Sequence, residues 1–170
     1  MSSSRALRDI TEKHGGKYQA SAVGEVNVVT EMKAVHAVIG GEGNGGIIYP
    51  PLHYGRDALV GVVLFLSLLV ERKVTVSELR ASYPSYFMSK NKITLDEGMN
   101  VDVLLEQMRD RYSNERISTV DGVKIDFEAS WVHLRKSNTE PIIRIYSEAK
   151  SELKAEALAN RFVTEIKSLL

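Results

Sequence analysis

The sequence has no cysteine. Disulfides, thiolate metal sites and cysteine nucleophiles are therefore excluded, and a cytoplasmic setting is expected. Net charge is also missing: 22 Lys and Arg stand against 22 Asp and Glu. A chain that grips nucleic acid normally carries a basic excess or a basic stripe. Neither is present, so no nucleic-acid partner is expected. Nor is there an apolar run of membrane length. The most apolar stretch is ALVGVVLFLSLLV, Ala58 to Val70. As a helix it would span roughly 20 Å, against roughly 30 Å for the hydrocarbon core of a bilayer. Flanked by GRD and ERK, it reads as a helix buried nearly all round, and no membrane partner is expected. The opening MSSSRALRDI has no apolar centre of a signal peptide. His14, His36, His53 and His133 are scattered, with no carboxylate at metal-ligand spacing. Asp96, Glu97 and Asp102 cluster at a helix start, where acidic residues suit the macrodipole. No metal site is expected in this chain.

What is present is an ordinary globular composition over 170 residues, 44% hydrophobic. That length suits one domain or two small ones. In the first half Ser3 or Ser4 can cap a helix bearing Ala6, Leu7 and Ile10, which ends at HGGK. VNVVTEMKA is mixed in pattern. AVHAVIG reads as a buried strand from about Val35 to Ile39. The apolar helix follows, and TVSELR is a short helix with Ser77 as its candidate cap. ASYPSYFMSKNK reads as the connection between two domains.

The second half has a different rhythm. KITL is a short strand. DEGMNVDVLLEQMRDRY is an amphipathic helix with Val101, Leu104, Leu105, Met108 and Tyr112 at helical spacing. Asp121–Gly122 signals a hairpin turn. VKIDF, ASWVHLR and IIRIYSE are strands, and Trp131 is most simply a sheet residue packed on a helix. A final helix carries the stripe Leu153, Ala157, Leu158, Phe162, Ile166 and Leu169. The expected class is α/β. Residues 1–86 form a small mixed α/β/α sandwich domain. Residues 87–170 form an α+β domain with an antiparallel sheet and two helices.

Two segments carry chemistry. Gly41, Gly43 and Gly46 satisfy G-x-G-x-x-G after a strand, but IIYPP follows where a dinucleotide fold needs a helix to begin. What survives is a tight loop that brings Glu42 and Asn44 to a ligand. A carboxylate beside a carboxamide can accept from one sugar hydroxyl and donate to its neighbour. A merely structural glycine turn is the alternative. The second segment is RKSNTEPIIR. Arg135, Lys136, Ser137, Asn138 and Thr139 concentrate a guanidinium, an ammonium, hydroxyls and backbone donors, a combination suited to phosphate. A solvated polar turn is the alternative there.

GGEGNGG followed by GRDALVGVVLFLSLL, and then RKSNTEPIIRIYSEA, resemble the α-D-phosphohexomutases: phosphoglucomutase, phosphomannomutase and phosphoglucosamine mutase. The resemblance covers essentially the whole chain, with both motifs in the family's order. It implies the third and fourth domains of a four-domain enzyme that moves phosphate between the 1- and 6-positions of a hexose or hexosamine. Glu42 and Asn44 would then bind sugar hydroxyls, with His53 and Arg56 as candidates to line the cleft. Arg135, Ser137, Asn138 and Thr139 would bind the non-reacting phosphate, with Arg144 supporting the loop. Family members often carry His where this chain has Gly46.

The resemblance also implies Mg²⁺ and a hexose 1,6-bisphosphate activator for the whole enzyme, with neither bound by this chain. No segment resembles the family's T-A-S-H-N-P phosphoserine or D-G-D-G-D-R metal loop. This chain alone is therefore expected to bind a phosphorylated hexose or hexosamine without turning it over. A stand-alone, non-catalytic phosphosugar-binding module is the alternative. The family's third domain opens with a strand just before the Ser-rich stretch, and Met1 stands almost directly before it here. The expectation is a piece of a longer protein with an unpaired sheet position, which invites a homodimer.

Overall fold

The structure is a computed structural model that describes residues 1–95, 99–137 and 140–169. The chain divides into two compact units: Ser3–Pro84, and Ser85–Leu170 together with Met1–Ser2.

The first unit opens with α1 (Arg5–Lys13), whose first turn is closed by Ser4 Oγ accepting from Ala6 N at 3.2 Å. VNVVTEMKA forms α2 (Glu25–Ala34). Val28 and Met32 of that helix pack with Ile48 as a small buried cluster. The only sheet described in this unit is a hairpin of β1 (Gly40–Gly41) and β2 (Ile47–Ile48), paired antiparallel. The strand expected over Val35–Ile39 is not formed. Val35 caps α2, His36 takes a left-handed conformation at φ 51°, and Ala37 N donates back to Met32 O at 2.9 Å. Val38 and Ile39 are exposed. An extended segment needs a neighbour for its N–H and C=O groups, and only Gly40 and Gly41 find one.

The apolar helix exists as α3 (Ala58–Arg72), with Asp57 Oδ1 accepting from Val60 N at 3.0 Å. It is not buried all round. None of its residues is buried, and Leu59 and Val70 are each 77% exposed. Gly61 lies close against Ile47 of β2, but a hairpin of two-residue strands is too small to cover a helix of 15 residues. No helix among the described residues is long and apolar enough to cross a membrane. The next helix, α4 (Val76–Ala81), is capped by Thr75 and not by Ser77. Glu78 N donates to Thr75 Oγ1 at 3.3 Å while Thr75 N donates to Glu78 Oε2 at 2.8 Å, a reciprocal capping box.

Among the described residues the second unit is a five-stranded antiparallel sheet with two helices. Its strands are β3 (Phe87–Thr94), β4 (Arg116–Ser118), β5 (Val123–Asp126), β6 (Trp131–Lys136) and β7 (Ile142–Ala149), in the order β3-β7-β6-β5-β4. The helices are α5 (Val101–Arg111) and α6 (Glu152–Lys167). Leu104, Leu105 and Met108 of α5 meet Phe162 and Ile166 of α6 over Val132, Leu134, Ile143 and Ile145 of the sheet. Burial of this set is the main source of stability, since each large apolar side chain contributes about 1.5–3 kcal/mol.

Two expectations shift here. Phe87–Lys92, read as part of the inter-domain connection, is the first three-quarters of β3. Its polarity hides the strand. β3 is an edge, and on the core-facing side Asn91 Nδ2 donates to Ser89 Oγ at 3.0 Å, so those polar groups partner each other. The buried stripe of α6 is Ala155, Ala159, Phe162 and Ile166, whereas Leu153 and Ala157 are exposed. Small residues let α6 sit close to β7, where Ser147 Oγ donates to Ala155 O at 2.7 Å. The turn at Asp121–Gly122 joins β4 to β5 as expected. Gly122 has φ 68°, and a Cβ there would strike Leu134 O.

Candidate functional site

The glycine loop is the tip of the β1–β2 hairpin. Glu42 N donates to Gly46 O at 3.1 Å and Gly45 N to Glu42 O at 3.3 Å, which closes it. Glycine is required for contact as well as for turning: a Cβ on Gly41 would collide with Gly46 O, and one on Gly46 with the Arg56 side chain. Asn44 Oδ1 accepts from Gly46 N at 3.1 Å. That bond orients the amide so that its NH₂ group points away as a donor.

Glu42 is held from two sides. Its Oε1 accepts from Gly24 N at 3.0 Å, and its Oε2 lies 4.0 Å from Arg56 Nη1. Gly24 is the N-cap of α2 and has no side chain to cap it, so Glu42 supplies a carboxylate to that helix start. Arg56 is shared with Glu25, whose Oε2 accepts from Arg56 Nε at 2.9 Å and whose Oε1 accepts from Arg56 N at 3.2 Å. His53 Nδ1 accepts from Gly55 N at 3.0 Å, so its proton sits on Nε2, 3.2 Å from Asp57 Oδ2. The Val60 N–H, and behind it the contact with His53, keeps Asp57 below the usual carboxylate range. Glu42, Asn44 and Arg56 therefore come together, while His53 is turned to the α3 cap.

The second segment starts on β6. Arg135 Nη1 lies 3.4 Å from Asp121 Oδ2. His133 Nε2 bonds to Asp121 O, and His133 Nδ1 lies 3.1 Å from Ser2 Oγ. Burial pushes the His133 imidazole down to about 4, against the opposing pull of the Asp121 carbonyl. Ser137 is buried, and its N–H donates to Ile142 O at 3.1 Å, closing the β6–β7 turn. Asn138 and Thr139 lie outside the described residues. Arg144 stands on β7 directly opposite Arg135. Its Nη2 lies 3.7 Å from Glu140 Oε2, and its Nε is buried with no hydrogen-bond partner among the described residues. Lys136 faces the other side of the sheet, 3.2 Å from Asp102 Oδ2 on α5.

The result is two arginines directly opposite each other on β6 and β7, Arg135 beside the Asp121 carboxylate and Arg144 beside that of Glu140 and bonded also to the Tyr146 side chain. Charge-assisted bonds at full strength are about 2.7–2.9 Å long, so both guanidinium groups retain bonding capacity for an anion. Asp121 and His133 were not legible as site residues, because Asp121 doubles as a turn signal and His133 reads as a sheet histidine. Counting faces along β6 is the one signal that places Trp131, His133 and Arg135 together.

Residues 1–86 match the family domain described as "Phosphoglucomutase/phosphomannomutase, alpha/beta/alpha domain III". Residues 91–165 match "Phosphoglucomutase/phosphomannomutase, C-terminal domain". The chain belongs to the phosphoglucomutase/phosphomannomutase family. Within the family it is similar to a phosphoglucosamine/phosphogalactosamine mutase of Sulfurisphaera tokodaii, 36% identical over 100% of this chain and 37% of that protein. It is similar also to a phosphoglucomutase/phosphomannomutase of Thermococcus kodakarensis, 36% identical over 91% of this chain and 34% of that protein. The chain thus spans little more than a third of the relatives it matches. In fold it is like a phosphoglucomutase/phosphomannomutase family protein of Burkholderia thailandensis, with TM-score 0.77 at 21% identity over 96% of this chain and 35% of that one. An N-acetylphosphoglucosamine mutase of Aspergillus fumigatus, solved with GlcNAc-6P and magnesium, shares the fold at TM-score 0.56 and 14% identity, over 91% of this chain and 38% of that one.

Magnesium is the ion that the family implies. Among the described residues no three His, Asp or Glu side chains converge to hold a metal ion. The donors of both loops are cationic or amide groups, with carboxylates already tied to Arg or backbone N–H. This chemistry suits sugar and phosphate oxygens rather than a divalent cation.

Proposed function

We propose that this chain is the substrate-recognition half of a phosphohexomutase. The whole enzyme would interconvert the 1-phosphate and 6-phosphate of a hexose or hexosamine by phosphoryl transfer. Each unit here supplies one part of recognition. In the first, Glu42 and Asn44 take sugar hydroxyls, the carboxylate accepting and the amide donating. Arg56 fixes the Glu42 carboxylate, and His53 supports the loop through Asp57. In the second, Arg135, Ser137, Asn138 and Thr139 take the phosphate that is not reacting. Arg144, directly opposite Arg135, adds charge. Magnesium, when bound by the whole enzyme, would neutralise the phosphate in transfer.

The observation that carries the reading is the opposed pair Arg135 and Arg144. Like charges directly across a sheet destabilise it. A phosphate between them offsets that repulsion and gives Arg the bidentate partner it suits.

The test is an NMR titration of the chain with glucosamine 6-phosphate, inorganic phosphate and glucosamine. The phosphosugar should move amides in both 41–46 and 135–144. Inorganic phosphate should move 135–144 and leave 41–46 in place. The chain should show no mutase turnover with magnesium and bisphosphate activator supplied. Turnover, or shifts confined to other surfaces, would reject the assignment.

A further inference from the structure

The sheet register adds a residue to the anion site that the loop motif does not contain. On β3, Lys92 lies directly opposite Arg144, and Arg144 lies directly opposite Arg135 on β6. Side chains directly opposed in antiparallel strands share a face. Lys92, Arg144 and Arg135 therefore form one row of three cations across three strands. Ile93, the next residue on β3, is in the core, which places Lys92 on the face away from the helices.

The row is under-neutralised. Asp121 faces Arg135 at 3.4 Å and Glu140 faces Arg144 at 3.7 Å. Lys92 has no ion pair, hydrogen bond or ring contact among the described residues. The other lysines of that face are engaged with rings: Lys90 lies 5.5 Å from the Tyr146 ring centroid and Lys124 lies 4.5 Å from that of Trp131. Arg144 Nε, in the middle of the row, is buried and has no partner among the described residues. Three adjacent cations with two loose carboxylates and one orphaned donor form an arrangement short of a negative charge.

We propose that Lys92 is a third cation of the phosphate site and a direct ligand, reaching the bound phosphate from β3 as Arg135 reaches it from β6. This rests on the reading of the Arg135 loop as a phosphate site and extends that site by one strand. A lysine suits the role because it is a flexible point charge that can follow the phosphate of differently sized sugars, whereas the guanidinium groups fix its plane. An edge strand also carries lysine to discourage pairing with another chain. That role makes no demand on phosphate affinity.

The experiment compares the full chain with K92A, K92R and R135A by isothermal titration with inorganic phosphate and glucosamine 6-phosphate. Lys92 is exposed, and unchanged far-UV circular dichroism and melting would show each variant folded. K92A should bind both ligands about tenfold more weakly, the scale of one charge-assisted bond. K92R should recover most of the loss, and R135A should bind least. If K92A binds like the unaltered chain while R135A does not, Lys92 is no ligand and the phosphate loop stands. If the unaltered chain binds neither ligand at millimolar concentration, the phosphate site and the role of Lys92 both fall.

Discussion

Glu42 Oε1 accepts the backbone N–H of Gly24 at 3.0 Å, so the acidic residue of the glycine loop also caps a helix. The two roles separate by substitution. Glu42→Gln keeps an oxygen acceptor for Gly24 but loses the charge. It should melt within a few degrees of the unaltered chain yet bind glucosamine 6-phosphate more weakly. Glu42→Ala leaves the Gly24 N–H without that acceptor and should cost about 1 kcal/mol of stability as well. Thermal melting beside an NMR titration checks both. Equal melting of the two variants would remove the capping role.

His133 makes the second unit sensitive to acid. Its folded-state value is lowered from 6.5 to about 4, mainly by burial. The unfolded chain then takes up a proton first as pH falls. Stability is full above about pH 6.5 and declines down to about pH 4, by up to about 3 kcal/mol if this group acts alone. Urea unfolding at pH 7 and pH 4.5 measures the loss. His133→Gln should flatten that part of the profile.

Tyr112 ties α5 to α6. Its hydroxyl lies 2.7 Å from Glu165 Oε1 and accepts from Arg161 Nη2 at 2.7 Å, while its ring stacks on Phe162 with centroids 5.0 Å apart. Burial, reinforced by the Glu165 carboxylate, pushes the phenol up to about 12. Tyr112→Phe keeps the stack and removes the polar link, and should lower stability by about 1–2 kcal/mol. Thermal unfolding at pH 7 reads the difference. Because the hydroxyl stays protonated, the loss should be unchanged at pH 9.

α3 predicts self-association. Leu59 and Val70 are each 77% exposed on a helix with no buried residue, and apolar patches of this kind associate. Leu59→Lys with Val70→Lys should shift sedimentation toward monomer at high concentration and change stability by less than about 0.5 kcal/mol. A large destabilisation would mean that the face is covered.

The second unit was readable in the sequence because its signals are local and mutually consistent. VKIDF alternates, Asp121–Gly122 turns, and Tyr112 falls in step with Leu104, Leu105 and Met108. The first unit was less readable for a physical reason. Val35–Ile39 has strand composition, yet a strand exists only with a neighbour to pair with, and pairing is not encoded in the segment itself. α3 shows the same limit: an apolar helix declares itself by composition, but which faces are covered depends on what else is there. At the site, Arg135 and Ser137 were visible as a donor-rich turn. The row through Arg144 to Lys92 was not, because it is set by cross-strand register, which brings Lys92 opposite Arg144, 52 positions away in sequence, only after the sheet has formed.

The measurement that bears most directly on the account is the affinity of the chain and of Arg135→Ala for glucosamine 6-phosphate, followed by amide shifts around Ser137. Arg135→Ala should lose those shifts and bind at least about tenfold more weakly, while shifts near Glu42 with excess glucosamine stay as they were. An Arg135→Ala variant that binds the phosphosugar as well as the unaltered chain would contradict phosphate recognition by this loop.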